Sequence, residues 1–236
     1  DMNGDTAQAE TAGKEIGSVL SELGINVDFA PIADIHTNPE NTVIGDRAYG
    51  TDAQTVADMA SAFTKGLESE GVSATAKHFP GHGDTGTDSH DGMAVSEHDL
   101  QRLQEVEFVP FHRLADEGID LMMVGHITMP NVTDDGLPAS LSKEAIDLLR
   151  DELDYDGIVI TDAMNMGAIV DYYPDGEAAV KAVEAGVDIV LMPADLDDAY
   201  NSLCEAVQTG EISENRLDES VERILSLKYD KGMLVP

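Results

Sequence analysis

A rhythm of short apolar runs alternating with amphipathic stretches constrains this chain more than anything else in it. Residues 27–31, 73–77, 119–124, 157–161 and 187–192 read as strands. Runs such as IDLMMV and GIVIT show no polar alternation, as parallel strands covered on both faces require. Between them, residues 6–23, 56–67, 96–117, 144–153 and 177–185 place apolar side chains at helical spacing. Two further helices close the chain, the last with Leu217, Val221, Ile224 and Leu225 on one face and Ser213 as its cap. The segment Ser96-Glu97-His98-Asp99 is expected to open the 96–117 helix, and Pro110 to divide it. Strands and helices alternating in this way fold as a parallel sheet wrapped by helices, either a doubly wound sheet or a (β/α)₈ barrel.

Apolar residues make up 42% of the 236, without a compositional break, so one domain is expected. The 47 acidic residues against 13 basic ones leave a formal charge of −34. That balance makes nucleic acid and anionic membranes poor partners, and neither is expected. Disordered acidic chains lack periodic apolar residues, whereas here these continue to the end, so the chain is expected to fold. A folded surface this acidic points to a salt-adapted organism, in which concentrated cations screen the repulsion. Cys204 is the only cysteine, which rules out an internal disulfide and a cysteine-based zinc cluster; beside Leu203, Ala206 and Val207 it reads as a small buried hydrophobe. No apolar run approaches the roughly 18–20 residues of a membrane span, no cofactor motif is present, and a monomer is expected.

The polar clusters all follow the C-terminal ends of strands: 34–47, 78–90, His126 and Asp162. Active sites of barrels and of open α/β sheets lie at that end. The segment 76–90, AKHFPGHGDTGTDSH, gathers three histidines, a lysine, two aspartates and three glycines in fifteen residues, a density of ionisable groups that a structural turn does not need. Within it Asp88 and His90 are one residue apart, so the carboxylate can orient the imidazole and stabilise its charged form; a solvated loop with incidental charges is the alternative. His78 and His82 lie four apart, but Pro80 and Gly81 between them prevent a helical metal site. Asp162, in VITDAMNM, suits either a nucleophile or an N-cap for the turn at Ala163. Arg47 and Lys77, two of the scarce cations, suit either substrate hydroxyls or a structural ion pair. His126 reads equally as pocket lining or as a satisfied core histidine. Asp34 and the Asn38-Pro39 turn read as loop architecture.

The segments KHFPGHGDTGTDSH, INVDFAPIADI, NPENTVIGDRAYG, LMMVGHITMP and VITDAMNM, in their order along the chain, closely resemble the β-N-acetylglucosaminidases of glycoside hydrolase family three. The resemblance implies a (β/α)₈ barrel that releases terminal β-linked N-acetylglucosamine with retention. It further implies Asp162 as nucleophile, Asp88 and His90 as an acid/base dyad, Arg47, Lys77 and His78 as ligands of the sugar hydroxyls, and His126 in the pocket wall, with no metal or cofactor. Family members open with further strands, one ending in a DQEGG-like segment, whereas Asp1 here leads almost directly into a helix. About three of the eight strands of a closed barrel are therefore expected to be missing, which leaves localisation open. Readings that stay open beside this one are a sugar-binding fragment without turnover, a β-glucosidase, and a metal-dependent hydrolase using His78, His82, His90 and Asp162.

Overall fold

The computed structural model describes residues 4–86 and 93–234. Helix α1 (Thr6–Glu22), capped by the Asp5 carboxylate, precedes strand β1 (Val27–Asp28). Helix α2 (Ala53–Glu68) leads to strand β2 (Ser73–Phe79), and a two-residue strand β3 (Ala94–Val95) follows. Helices α3 (Leu100–Arg102) and α4 (Phe108–Asp116) are joined by a π-helical turn at Leu103–Glu107. Strands β4 (Leu121–Val124) and β5 (Ile127–Thr128), helix α5 (Lys143–Asp147) and strand β6 (Ile158–Thr161) come next. Helices α6 (Gly167–Val170), α7 (Asp175–Ala185), α8 (Leu196–Thr209) and α9 (Glu214–Asp230) complete the chain.

The main sheet is parallel throughout, in the order β1-β2-β4-β6. A bridge from Ile160 to Ile189 sets the segment 187–192 at its far edge. Strand order thus follows chain order, whereas a doubly wound sheet reverses its order at a switch point. Alternate strand residues separate two cores. Ala74, Ala76, Met122, Val124, Val159 and Val187 join Phe63, Phe111, Ile146 and Ala182 from the helices. Leu121, Met123, Ile158 and Ile160 form the opposite face, with Ile189 and Leu191 beside them. Parallel strands in sequential order, with one face layered by the connecting helices and the other packed against Ile189, Leu191 and the last helix through Ile224 and Leu227, form an arc of a TIM-barrel-like α/β fold.

Several local expectations change in the structure. The segment 187–192 makes only an isolated bridge, although Thr161 N–H donates to Ile189 O at 3.0 Å and Leu191 N–H to Thr161 Oγ1 at 2.9 Å. The helix expected from residue 96 begins at Leu100, where the Asp99 side chain caps Arg102 N–H. Its irregularity lies one turn before Pro110: the proline has no N–H for the Val106 carbonyl, and the backbone widens upstream into the π turn. Cys204 is half-buried rather than sequestered.

Helix α9 docks through both apolar and polar contacts, with Ile224 and Leu227 packed against the Leu121, Met123, Ile158 and Ile160 cluster. Ser220 is its one fully buried residue, and its hydroxyl donates to Asp188 Oδ1 at 2.6 Å. Asp188 Oδ2 also accepts from Val159 N–H and from Arg150 Nη2, both at 2.9 Å, while Arg223 and Arg216 stand 3.4 and 3.6 Å from Oδ1. Three of the 13 basic residues therefore surround one fully buried carboxylate at the start of the 187–192 segment.

Candidate active site

Because the strands are parallel, everything that follows a strand gathers at one end of the sheet. Asp34 lies beyond β1, where Ile32 bridges to Lys77. Lys77 and His78 end β2, His126 follows β4, and Asp162 follows β6. The register of β2 against β4 shifts between Ala76 and Phe79. In a regular strand two consecutive side chains face opposite ways; across this irregularity both Lys77 and His78 line one cleft.

That cleft, of about 480 Å³, is lined by Val43, Arg47, Lys77, His78, His82 and Asp162, with the turn from Ala163 to Gly167 as its far wall. Hollows of about 590 and 490 Å³ lie where Asp154, Tyr155, Asp156 and Arg223 meet. Those hollows are lined by carboxylates and guanidinium groups away from the C-terminal strand ends, whereas the strand-end cleft adds two imidazoles to a carboxylate and two cations.

Asp162 divides its carboxylate between two tasks. Oδ1 accepts from Ala163 N–H at 2.8 Å and shapes the turn. Oδ2 stands 4.0 Å from His78 Nε2, and the side chain keeps 18% of its surface exposed. The cap and the reactive carboxylate are thus compatible roles for one residue. His126 supports this turn from behind: its Nε2 is 3.0 Å from the Ala163 carbonyl, and its Nδ1 is 2.8 Å from Ser140 Oγ. A carbonyl only accepts, so Nε2 carries the proton and Nδ1 accepts from the serine hydroxyl. Burial pushes the His126 imidazole below its ordinary pKa. At 1% exposure the ring sits behind the cleft wall, not on its surface.

Lys77 is half-buried beside Asp162. Burial lowers its ammonium pKa and the nearby Arg47 charge adds to the effect, while Asp162, Asp28 and Asp34 oppose it. The Arg47 guanidinium is placed by its own loop, donating from Nε and Nη2 to the Val43 carbonyl at 3.2 and 2.7 Å. Asn41 clamps that loop to the next: its Nδ2 donates to the carbonyls of His82 and Thr85, and its Oδ1 accepts from Ile44 N–H. The segment carrying His82 runs against residues 35 and 36, and a methyl group on Gly83 would lie 1.9 Å from the Ile35 carbonyl oxygen. Only glycine permits that approach.

Asp34 lies beneath both histidines, fully buried. Its carboxylate accepts from His82 N–H at 2.6 Å and from His78 N–H at 3.2 Å, and its Oδ2 is 2.8 Å from His78 Nδ1. Burial by itself would raise the Asp34 pKa, but the charge of His78 and these hydrogen bonds, with a smaller contribution from His82, bring it below the usual value. His82 pairs its Nδ1 with Thr85 Oγ1 at 2.7 Å, and burial lowers its pKa.

The structure therefore brings Arg47, Lys77, His78 and Asp162 to one cleft and sets His126 behind it. Asp88 and His90 lie outside the described residues. Sequence reasoning missed Asp34 as part of the site and considered His82 only as a metal ligand; among the described residues no cluster of metal-ligating side chains forms. The position of Asp34 after an apolar run, like that of Asp162, was the available signal.

Comparison with known proteins agrees with this picture. Residues 2–227 match the family described as Glycosyl hydrolase family 3 N terminal domain. Beta-hexosaminidase LpqI of Mycobacterium tuberculosis is 38% identical over 94% of this chain, which covers 58% of that protein. The Beta-N-acetylglucosaminidase/beta-glucosidase of Cellulomonas fimi is 33% identical over 98% of this chain and 43% of its own length. The solved structure of a glycoside hydrolase family 3 beta-N-acetylglucosaminidase from Paenibacillus sp. str. FPU-7 superposes with a TM-score of 0.95 at 45% identity, over 98% of this chain and 44% of that one. The chain thus spans roughly half the length of these relatives. With a sequential parallel arc, a polar cleft at its C-terminal edge and a match over nearly every residue, this chain belongs to the glycosyl hydrolase family 3 N-terminal domain family.

Proposed function

We propose that this chain is the catalytic part of a retaining glycoside hydrolase that releases terminal β-linked N-acetylglucosamine. The observation that carries the reading is the placement of Asp162: one oxygen is tied into the turn and the other is turned toward a cleft that holds Arg47, Lys77 and His78. A carboxylate held this way can attack an anomeric carbon and form a glycosyl ester, while the cations and the imidazole bind hydroxyls on the same sugar. Asp88 and His90, placed by sequence only, supply the acid/base dyad: the imidazolium protonates the leaving oxygen, and the neutral imidazole then activates water.

Trapping the intermediate tests this. A 2-acetamido-2-deoxy-5-fluoro glycosyl fluoride should accumulate as an ester on the peptide containing Asp162, because the fluorine destabilises the oxocarbenium-like transition states on both sides of the intermediate. An ester on a different carboxylate, or turnover unaffected by Asp162→Asn, would refute the assignment. A second reading, β-glucosidase activity, is favoured by the Cellulomonas fimi relative, whose name carries both activities. The ratio of kcat/KM for aryl β-N-acetylglucosaminide and aryl β-glucoside decides between them.

A further inference from the structure

We infer that Asp34 is a positioning residue that fixes the imidazole of His78 as the Nδ1–H tautomer and so aims Nε2 at Asp162 Oδ2 and the cleft. The inference rests on the proposed roles of His78 and Asp162. Its basis is the number of acceptors Asp34 supplies. The side chain has no exposed surface and is approached by His82 N–H at 2.6 Å, His78 N–H at 3.2 Å and His78 Nδ1 at 2.8 Å. An ionised carboxylate only accepts, and two of these three groups are backbone donors, so the third must donate as well. The Nδ1 proton is therefore fixed by a residue 44 positions away. Nε2 is left on the side of Asp162, at 4.0 Å, outside direct hydrogen-bonding distance. The same carboxylate ties down the His82 backbone, so one buried group sets both the proton position on His78 and the course of the chain past it.

A one-atom change separates these two tasks. In Asp34→Asn the amide oxygen can keep accepting the backbone N–H groups, while the amide nitrogen takes the place of Oδ2 and donates to Nδ1. His78 is then driven to the opposite tautomer, with its proton on Nε2, and the fold is retained. The experiment is ¹⁵N NMR of the histidine side chains in the full chain, with His78 assigned from the signal lost in His78→Gln. The spectra are recorded at a pH high enough to leave the ring neutral. The wild type should show the bonded proton on Nδ1, and Asp34→Asn should show it on Nε2. A wild-type ring bare at Nδ1 overturns the inference, as does a folded Asp34→Asn that keeps Nδ1–H. If Asp34→Asn does not fold, the wild-type spectrum alone decides.

Kinetics supply an independent arm. Asp34→Asn should lower kcat/KM for an aryl β-N-acetylglucosaminide by about 10- to 100-fold, the value of one misdirected hydrogen bond to a charged group. It should add nothing in a His78→Gln background, because Asp34 acts through His78. Additive losses in the double variant overturn the inference. Expected spectra in a chain that cleaves no glycoside support the tautomer assignment and refute the glycosidase reading, so the two fail separately.

Discussion

Asp188→Ala is expected to be the most destabilising single substitution near α9. The carboxylate is fully buried and accepts from Val159 N–H, Arg150 Nη2 and Ser220 Oγ at 2.9, 2.9 and 2.6 Å. Its removal leaves the guanidinium groups of Arg150, Arg216 and Arg223, which are only 17%, 16% and 24% exposed, without their shared counter-charge. Removing one partner of a buried ion pair costs about 3–5 kcal/mol, because the other charge stays desolvated. For a chain of this size each kcal/mol moves the thermal midpoint by about 2–4 °C, so a fall of about 6–20 °C is expected. Long-range repulsion predicts the opposite sign, since the substitution removes one of 47 acidic residues from a chain of net charge −34. That relief is small beyond a Debye length of about 8 Å. Urea unfolding followed by circular dichroism measures the difference, and hydrogen exchange across residues 214–230 should show α9 loosening first. Asp156, 91% exposed and also paired with Arg223, serves as control: its alanine variant should barely move the midpoint. A loss below about 1 kcal/mol for Asp188→Ala would show that the three arginines are adequately solvated and that the cluster does not hold the helix.

Three further outcomes are expected. Raising salt from 0.01 to 1 M, which shortens the Debye length from about 30 to about 3 Å, should raise the thermal midpoint of this chain; a flat response would count against adaptation to salt. Gly66→Ala should destabilise by about 1–3 kcal/mol or more, measured by urea unfolding, since the added methyl would lie 2.0 Å from the Glu10 carbonyl where α1 crosses α2. Glu68 contributes a distinct pH dependence: burial and the neighbouring Asp120 raise its carboxyl from 4.5 to about 7, against the pull of Lys231. The folded state therefore holds this proton more tightly than the unfolded state, and the stability it contributes is full below 4.5 and is lost as pH rises through about 7. Glu68→Gln should accordingly raise the midpoint more at pH 7.5 than at pH 5, and an equal effect at both would refute the assignment.

The sequence by itself determined the alternation of strand and helix, the parallel character of the buried runs and the excess acidity. It also determined that Lys77 and His78 fall at the end of one strand and that His126 and Asp162 follow others, because burial imposes a local period on apolar residues and parallel pairing puts all the following loops at one end. Tertiary structure decided the rest. Periodicity specifies which side of a strand is covered and is silent on which side chain stands beneath another, so Asp34, 44 residues from His78, looked like part of a turn. His126 was ambiguous for the same reason: its partners, Ser140 and Ala163, lie 14 and 37 residues away. Strands of two residues such as β3 and β5 are too short to carry a period, and the segment 187–192 has an apolar pattern but makes a single bridge. That Lys77 and His78 share a cleft follows from a register shift between β2 and β4, and that Asp188 gathers three scarce arginines follows from where α9 docks. Both are relations between elements distant in the chain, which no local pattern of residues encodes.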